Sequence, residues 1–340
     1  MREELFQTFL KNYFGHSNFT LTPLQQSGSA RQNLRVDTAD KKYILTYNEK
    51  IDENECFFYF TEIFHDFELN VPHIYAINPE RTLYLQEFVG INTLSEIITE
   101  EGHSERVKQL VAKTIEMLSS FQQKTSGKID FSKAYEYEAY DELPIIHDLY
   151  YFKNFLIDVL EIDYHKGKLL KEFHHISDKV KSLQPQTVMM RDFQARNIMV
   201  NDNDEIYFID YQAAMSGPAT YDLVSFLFQA KAKFPAEWKE EFLAKYFLLN
   251  QQNFSAESYP EAVNYCKLMR FLQVLGAYGF RGLIQRKKHF IESIVQGIKN
   301  INELKAEWPE LIKYPELSKI ISDLESEHTQ SKVNKLINGQ

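Results

Sequence analysis

Met190-Arg191-Asp192-Phe193-Gln194-Ala195-Arg196-Asn197-Ile198-Met199-Val200, followed by Ile206-Tyr207-Phe208-Ile209-Asp210-Tyr211, is the stretch on which the reading of this chain turns. Residues 187–192 read as a strand, followed by a loop and by two short strands at 197–200 and 205–210. An acid at Asp192 could orient an attacking hydroxyl and accept its proton. A neutral amide a short loop later, Asn197, can turn back and offer its oxygen to a metal. A second carboxylate on the following hairpin, Asp210, completes the set. Mg²⁺ prefers oxygen ligands and keeps waters and phosphate oxygens, so few protein ligands suffice. Taken singly, Asp192 and Asn197 could be turn residues and Asp210 a strand cap. The ordered set, D-x-x-x-x-N and then an apolar strand ending in Asp, points to phosphoryl transfer, where catalysis is mostly positioning and charge neutralisation.

Upstream, Leu5, Phe6, Phe9, Leu10, Tyr13 and Phe14 recur at helical spacing, with Gly15 as a stop. Strands are expected at 18–24, 33–37 and 42–47, then a helix at 52–67 with Phe57, Phe60 and Phe64 on one face. Two more strands are expected at 73–77 and 82–88, across the turn Asn78-Pro79-Glu80-Arg81. After Gly90 amphipathic helices dominate: 94–98, 104–123, 145–160, 168–182, and from 221 to about 324, interrupted only by the decisive stretch. The expected class is therefore α+β, a bilobal arrangement with a small β-rich N-lobe at 1–88 and a larger helical C-lobe at 89–326. Residues 327–340 are polar and expected to form a frayed tail.

Composition narrows the partners. The chain has 340 residues, 44% hydrophobic and 25% charged, with 26 Phe and 20 Tyr, enough for large aromatic cores. Its net charge of −10 argues against a general nucleic-acid binder, and no apolar run is long enough to span a bilayer. Two cysteines, Cys56 and Cys266, exclude a disulfide framework or cysteine metal site, and the ten histidines form no metal motif. With no signal-peptide pattern at the N-terminus, the expected compartment is the cytoplasm. The expected partner is a small-molecule substrate, with no membrane and no obligate protein partner.

The set fits the catalytic loop of kinase-like phosphotransferases. Arg191–Asn197, with Ile209-Asp210-Tyr211-Gln212 and Gly217-Pro218-Ala219-Thr220-Tyr221-Asp222-Leu223, resembles the aminoglycoside phosphotransferase superfamily. Within it the likeness is to anomeric sugar kinases acting on N-acetylmuramate and N-acetylglucosamine. The likeness extends to Gly28-Ser29-Ala30-Arg31-Gln32-Asn33-Leu34-Arg35 and, more weakly, to Gln273–Arg281, so it covers about residues 20–300.

What the resemblance implies follows residue by residue. Asp192 is the base, Asn197 and Asp210 hold Mg²⁺, and Asp222 is a buried brace for the loop. Ser27–Arg31, including Gly28 and Ser29, covers the phosphates of ATP, with the Arg31 or Arg35 guanidinium supplying donors. Gln86, Glu87 and Phe88 form a hinge whose backbone meets the adenine. Arg196 and Gln212 could reach a sugar. Asp141, Asp148 and Arg281 are further candidates for the acceptor, although Asp141 reads equally well as a helix cap. Glu55 or Glu62 could brace the nucleotide site.

Two departures stand out. The superfamily's histidine two residues before the base is Met190, which bears on the rigidity of the loop. No lysine lies inside 43–47, where kinases place a phosphate-gripping residue; Lys41 and Lys42 precede it and read as a solvated strand start. The sugar-kinase branch that the chain resembles also tends to lack this lysine, so the resemblance favours a sugar acceptor over an antibiotic. An aminoglycoside or choline-type acceptor stays open, as does a catalytically quiet nucleotide-binding module.

Overall fold

Alternation of apolar side chains builds the N-terminal sheet. In the computed structural model, which describes residues 2–24 and 31–337, Leu83 and Leu85 are buried with Val36, Leu45, Phe6 and Leu10, while Tyr84 between them faces the rings of Phe57 and Phe58. The sheet thus takes one helix on each face.

Along the chain, α1 (Arg2–Phe14) precedes β1 (Thr20–Pro23), β2 (Gln32–Asp37) and β3 (Lys42–Tyr47); α2 (Ile51–Asp66) leads to β4 (Ile74–Ile77), β5 (Leu83–Glu87) and β6 (Asn92–Thr93). Helices α3 (Leu94–Glu101), α4 (Glu105–Thr125), α5 (Glu142–Phe152) and α6 (Lys166–Lys181) follow. Next come β7 (Gln186–Met189), β8 (Ile198–Val200), β9 (Ile206–Phe208) and β10 (Met215–Pro218). The remainder is helical: α7 (Thr220–Leu227), α8 (Ala236–Leu249), α9 (Ser258–Tyr278), α10 (Lys288–Glu307), α11 (Pro315–Glu325) and α12 (Glu327–Ile337). The class is α+β, a β-sheet N-terminal region and a larger helical part.

The chain divides into two compact units, Met1–Glu138 with Gln194–Ala214, and Ala139–Phe193 with Met215–Gln340. In the first unit an antiparallel sheet runs β1-β2-β3-β5-β4, and a second small sheet runs β6-β8-β9. Helix α3 opens on a capping box, Thr93 with Glu96, and α4 on Ser104, whose hydroxyl accepts from the Val107 amide. Both helices pack on the small sheet, which is why the first unit runs past the expected boundary at residue 88.

In the second unit, β7 pairs with β10, a strand not expected from the sequence, since Gly and Pro are both poor strand formers. Its helices pack closely: a Cβ on Gly276 of α9 would lie 2.7 Å from the Phe152 amide nitrogen of α5. The expected helix 145–160 is straight only to Phe152, after which Lys153–Ile157 widens into a π turn; a second π turn, Gly279–Ile284, follows α9. Helix α11 has no capping side chain of its own. The Glu172 carboxylate of α6 accepts from the Glu316 and Leu317 amides at 2.9 and 2.8 Å, placing an anion at a helix N-terminus. Glu327–Ile337, expected as a frayed tail, forms α12 and buries Val333, an apolar anchor too isolated to show in the sequence.

Candidate active site

The β8–β9 hairpin positions the oxygen donors of the first unit. Ile198 pairs with Phe208, and the Ile209 amide donates to the Asn197 carbonyl at 3.1 Å. That register brings buried Asn197, in the 3-10 turn Ala195–Asn197, and Asp210 to the same end of the hairpin. Asp210 has φ of 64°, a left-handed conformation that non-glycine residues adopt rarely and often at functional sites. Its neighbours hold it there. The Tyr211 hydroxyl shares a hydrogen bond of 2.6 Å with Thr61, its ring stacks on Phe57 at 5.0 Å, and the Gln212 carbonyl accepts from Cys56.

Arg31, at the head of β2, spans two carboxylates. Its Nη2 lies 3.0 Å from Glu53 Oε1 and 3.1 Å from Asp210 Oδ1. Burial opposes charge on this guanidinium, but Asp210, Tyr84 and Glu53 more than offset it, so its pKa is raised. Burial also pushes the Tyr84 phenol up to about 12. Asn197 and Asp210 are hard oxygen donors of the kind Mg²⁺ takes. Among the described residues no group of three or more His, Cys, Asp or Glu could hold a metal alone. A divalent ion here would complete its shell with water and phosphate.

In the second unit the strand β7 runs into a tight turn. The Asp192 amide donates to the Met190 carbonyl at 2.8 Å, and Arg191 has φ of 65°. Asp222, fully buried in the first turn of α7, accepts from the Met190 amide at 2.6 Å and the Arg191 amide at 3.0 Å. Burial pushes its carboxyl up to about 7, against the pull of those two N–H groups and of Arg270. The brace acts on the backbone of Met190, so the position does not need an imidazole to be held.

Arg270 of α9 donates to Asp192 Oδ1 at 3.0 Å, to Gln273 Oε1 at 2.9 Å and to the Arg191 carbonyl at 3.3 Å. The Arg270 side chain is 6% exposed and that of Asp192 39%, so a buried cation steadies a carboxylate that still reaches solvent. A second network joins Arg191 to Asp148 at 2.9 Å and Asp148 to the Tyr140 hydroxyl at 2.9 Å. Nearby on the same helix, the rings of Tyr151 and Phe155 lie 4.7 Å apart, and Phe280 lies 4.8 Å from Phe155. Burial raises the Tyr151 phenol, Arg281 lowers it and Asp148 raises it, which puts both charges within electrostatic reach of that ring.

The other expected residues take the following places. Gly28 and Ser29 lie outside the described residues. Arg35 pairs with Asp37 along its own strand at 2.9 Å. Gln86 donates from its side chain to Thr46, and the Glu87 amide donates to the His73 carbonyl at 2.7 Å, leaving only Phe88 past the strand. Gln212 donates to Asp210 at 3.1 Å and Arg196 is exposed on the 3-10 turn. Asp141 is the N-cap of α5, accepting from the Leu143 amide at 3.0 Å. Arg281 sits over the Phe290 ring at 5.2 Å. Glu55 pairs with Arg81 and Glu62 is exposed; the carboxylate that meets Arg31 is Glu53. Glu53 was legible, because it extends the Phe57, Phe60, Phe64 face one turn back. Arg270 also left a signal: a cation inside Tyr265-Cys266-Lys267-Leu268-Met269-Arg270-Phe271-Leu272 needs a buried partner.

Residues 20–259 match the model of the phosphotransferase enzyme family, APH. The chain is 22% identical over 335 residues to an N-acetylmuramate/N-acetylglucosamine kinase of Pseudomonas putida, covering 95% of this chain and 94% of that protein. Its fold is similar to that of the choline kinase LicA from Streptococcus pneumoniae, with a TM-score of 0.61 at 14% identity over 89% of this chain and 99% of that one. It is also similar to a thermostable mutant of the aminoglycoside phosphotransferase APH(4)-Ia in a ternary complex with ADP and hygromycin B, at TM-score 0.57 and 16% identity, over 88% of this chain and 97% of that one. These structures share the fold across their whole lengths. With the family model matched over most of the chain, this protein belongs to the phosphotransferase enzyme family and is a small-molecule kinase.

Proposed function

We propose that the protein transfers the γ-phosphoryl group of ATP, with Mg²⁺, to a hydroxyl of an N-acetylated amino sugar, the anomeric one. The observation that carries this reading is Asp192, steadied on one oxygen by buried Arg270 and exposed at the head of the D-x-x-x-x-N stretch. Asp192 orients the acceptor hydroxyl and takes its proton as the new O–P bond forms and the bond from the γ-phosphorus to its bridging oxygen breaks, releasing ADP. Asn197 and Asp210 hold the metal, which when bound offsets phosphate charge. Asp222 keeps the turn in place from below, through the backbone of Met190 and Arg191. ATP as donor suits a cytoplasmic location.

A sugar acceptor is supported by the surfaces in the second unit. The aromatic faces of Tyr151, Phe155 and Phe280 can stack on the C–H face of a pyranose, and Arg281 can meet a carboxylate or an N-acetyl oxygen. The same arginine opposes a cationic acceptor of the choline or aminoglycoside kind, because an aromatic cage for a cation would not keep a guanidinium beside it. The name of the Pseudomonas putida relative supports the same choice.

The test is coupled ADP release against N-acetylglucosamine, N-acetylmuramate, aminoglycosides and choline. Turnover on an N-acetylated sugar, reduced by about 10²-fold or more in Asp192→Ala, is the expected result. Turnover on choline or an aminoglycoside alone would overturn the acceptor assignment.

A further inference from the structure

The third strand of the N-terminal sheet carries no cation toward α2. Where a lysine would stand, Thr46 donates to Asn33 at 2.8 Å and accepts from Gln86 at 2.9 Å, a neutral network beside buried Tyr84. A kinase still needs a positive charge on the donor phosphates, anchored by an acid of the neighbouring helix. Two arginines lie in β2 or at its head. Arg35 is engaged with Asp37 on its own strand. Arg31 is not local in its pairing: it reaches Glu53 in the first turn of α2 and Asp210 beyond β9.

The geometry points to Arg31 as the phosphate-gripping residue of this kinase, supplied from the head of β2 in place of a strand lysine, with Glu53 as its anchor. The inference rests on the ATP-dependent reading above. Glu53 is suited to the task because both its oxygens are engaged, Oε1 by Arg31 at 3.0 Å and Oε2 by Asn48 Nδ2 at 3.2 Å. A carboxylate fixed on two sides fixes the guanidinium it holds. The side chains of Arg31 and Glu53 are 12% and 14% exposed, so their pairing is little screened by water. Asp210, at 38%, is the open side of the bridge. A cation held by Asp210 would compete with Arg31 for its carboxylate, which would leave the guanidinium free to turn to the phosphates. Guanidinium is planar and presents paired donors, so it can span two phosphate oxygens where an ammonium meets them as a point charge.

Calorimetric titration with Mg-ADP and with adenosine, on the full chain, separates the possibilities. Arg31→Leu is expected to lose Mg-ADP affinity by about tenfold or more while binding adenosine as the unaltered protein does. Arg31→Lys should recover part of that loss, and Glu53→Gln should lose about threefold or more because the guanidinium loses its anchor. Unchanged Mg-ADP affinity in Arg31→Leu, with adenosine bound normally, would overturn the inference and leave the kinase reading intact. Equal losses for Mg-ADP and adenosine would also overturn it, since they mark a structural role. If the unaltered protein bound neither ligand, the ATP-dependent reading itself would fall.

Discussion

Asp192, the base of the proposed reaction, is held by a side chain that takes no part in the chemistry, Arg270. Arg270 is buried, so its hydrogen bond to Asp192 is little screened, and its contacts with Gln273 and the Arg191 carbonyl fix its direction. Replacing it by leucine keeps the apolar stem but leaves Asp192 without that partner. Arg270→Leu is expected to lower kcat by about tenfold or more with a smaller change in KM for the acceptor, a split that steady-state kinetics measures. Equal kcat would show that Asp192 is held by other means. Asp222 yields a prediction about pH. Its carboxyl is raised from 3.8 to about 7, so the folded protein binds more protons than the unfolded chain across that window. Its contribution to stability is therefore full below the unfolded value and is lost as pH rises through about 7. Asp222→Asn should flatten the fall in melting temperature between about pH 5 and pH 7; an unchanged slope would contradict the assignment. Asp192, Asn197 and Asp210 were singled out by their order and spacing within one short run of chain, and Asp222 by the family resemblance. Arg270 and Glu53 left a local signal of burial, but their partners, Asp192 and Arg31, lie far off in sequence and are paired with them only by packing.

At the scale of elements, strands and helices with a clear apolar period were readable to within a few residues. Residues 42–47 match β3, and 52–67 lies one residue from α2 at either end. What escaped were features set by neighbours. The strand β10 contains Gly217-Pro218, and its glycine serves close approach: a Cβ there would come within 2.6 Å of the Met189 sulfur. The π turns at Lys153–Ile157 and Gly279–Ile284 also face each other through a glycine, with a Cβ on Gly279 meeting the Phe155 carbonyl oxygen at 2.2 Å. No local pattern announces such a contact. Gly276 tests its importance. Gly276→Ala would press a methyl group into the α5 backbone at Phe152, and backbone cannot rotate away as a side chain does. The expected cost is about 1–3 kcal/mol, seen as a lower melting temperature. An unchanged or higher melting temperature would mean that α5 and α9 separate without loss.

For the whole molecule, the residues that the proposed reaction uses are distributed over both units. Arg31, Glu53, Asn197 and Asp210, the residues suited to phosphate and metal, belong to the first; Asp192, Arg270, Asp148 and Tyr151, suited to the acceptor, belong to the second. The chain passes from one to the other between Phe193 and Gln194, inside the stretch that first identified the chemistry. Its net charge of −10 suits neither nucleic acid nor an acidic surface, and among the described residues no helix is long and apolar enough to cross a membrane. The proposed reaction is phosphoryl transfer to the anomeric hydroxyl of an N-acetylated sugar with Asp192 as base. Phosphorus–proton correlation NMR of the product formed from ATP and N-acetylglucosamine or N-acetylmuramate tests it most directly. Phosphorus coupled to the anomeric proton is expected, with loss of that product in Asp192→Ala. Phosphorus coupled to a proton elsewhere on the ring, or ADP formed with no sugar phosphate at all, would contradict it.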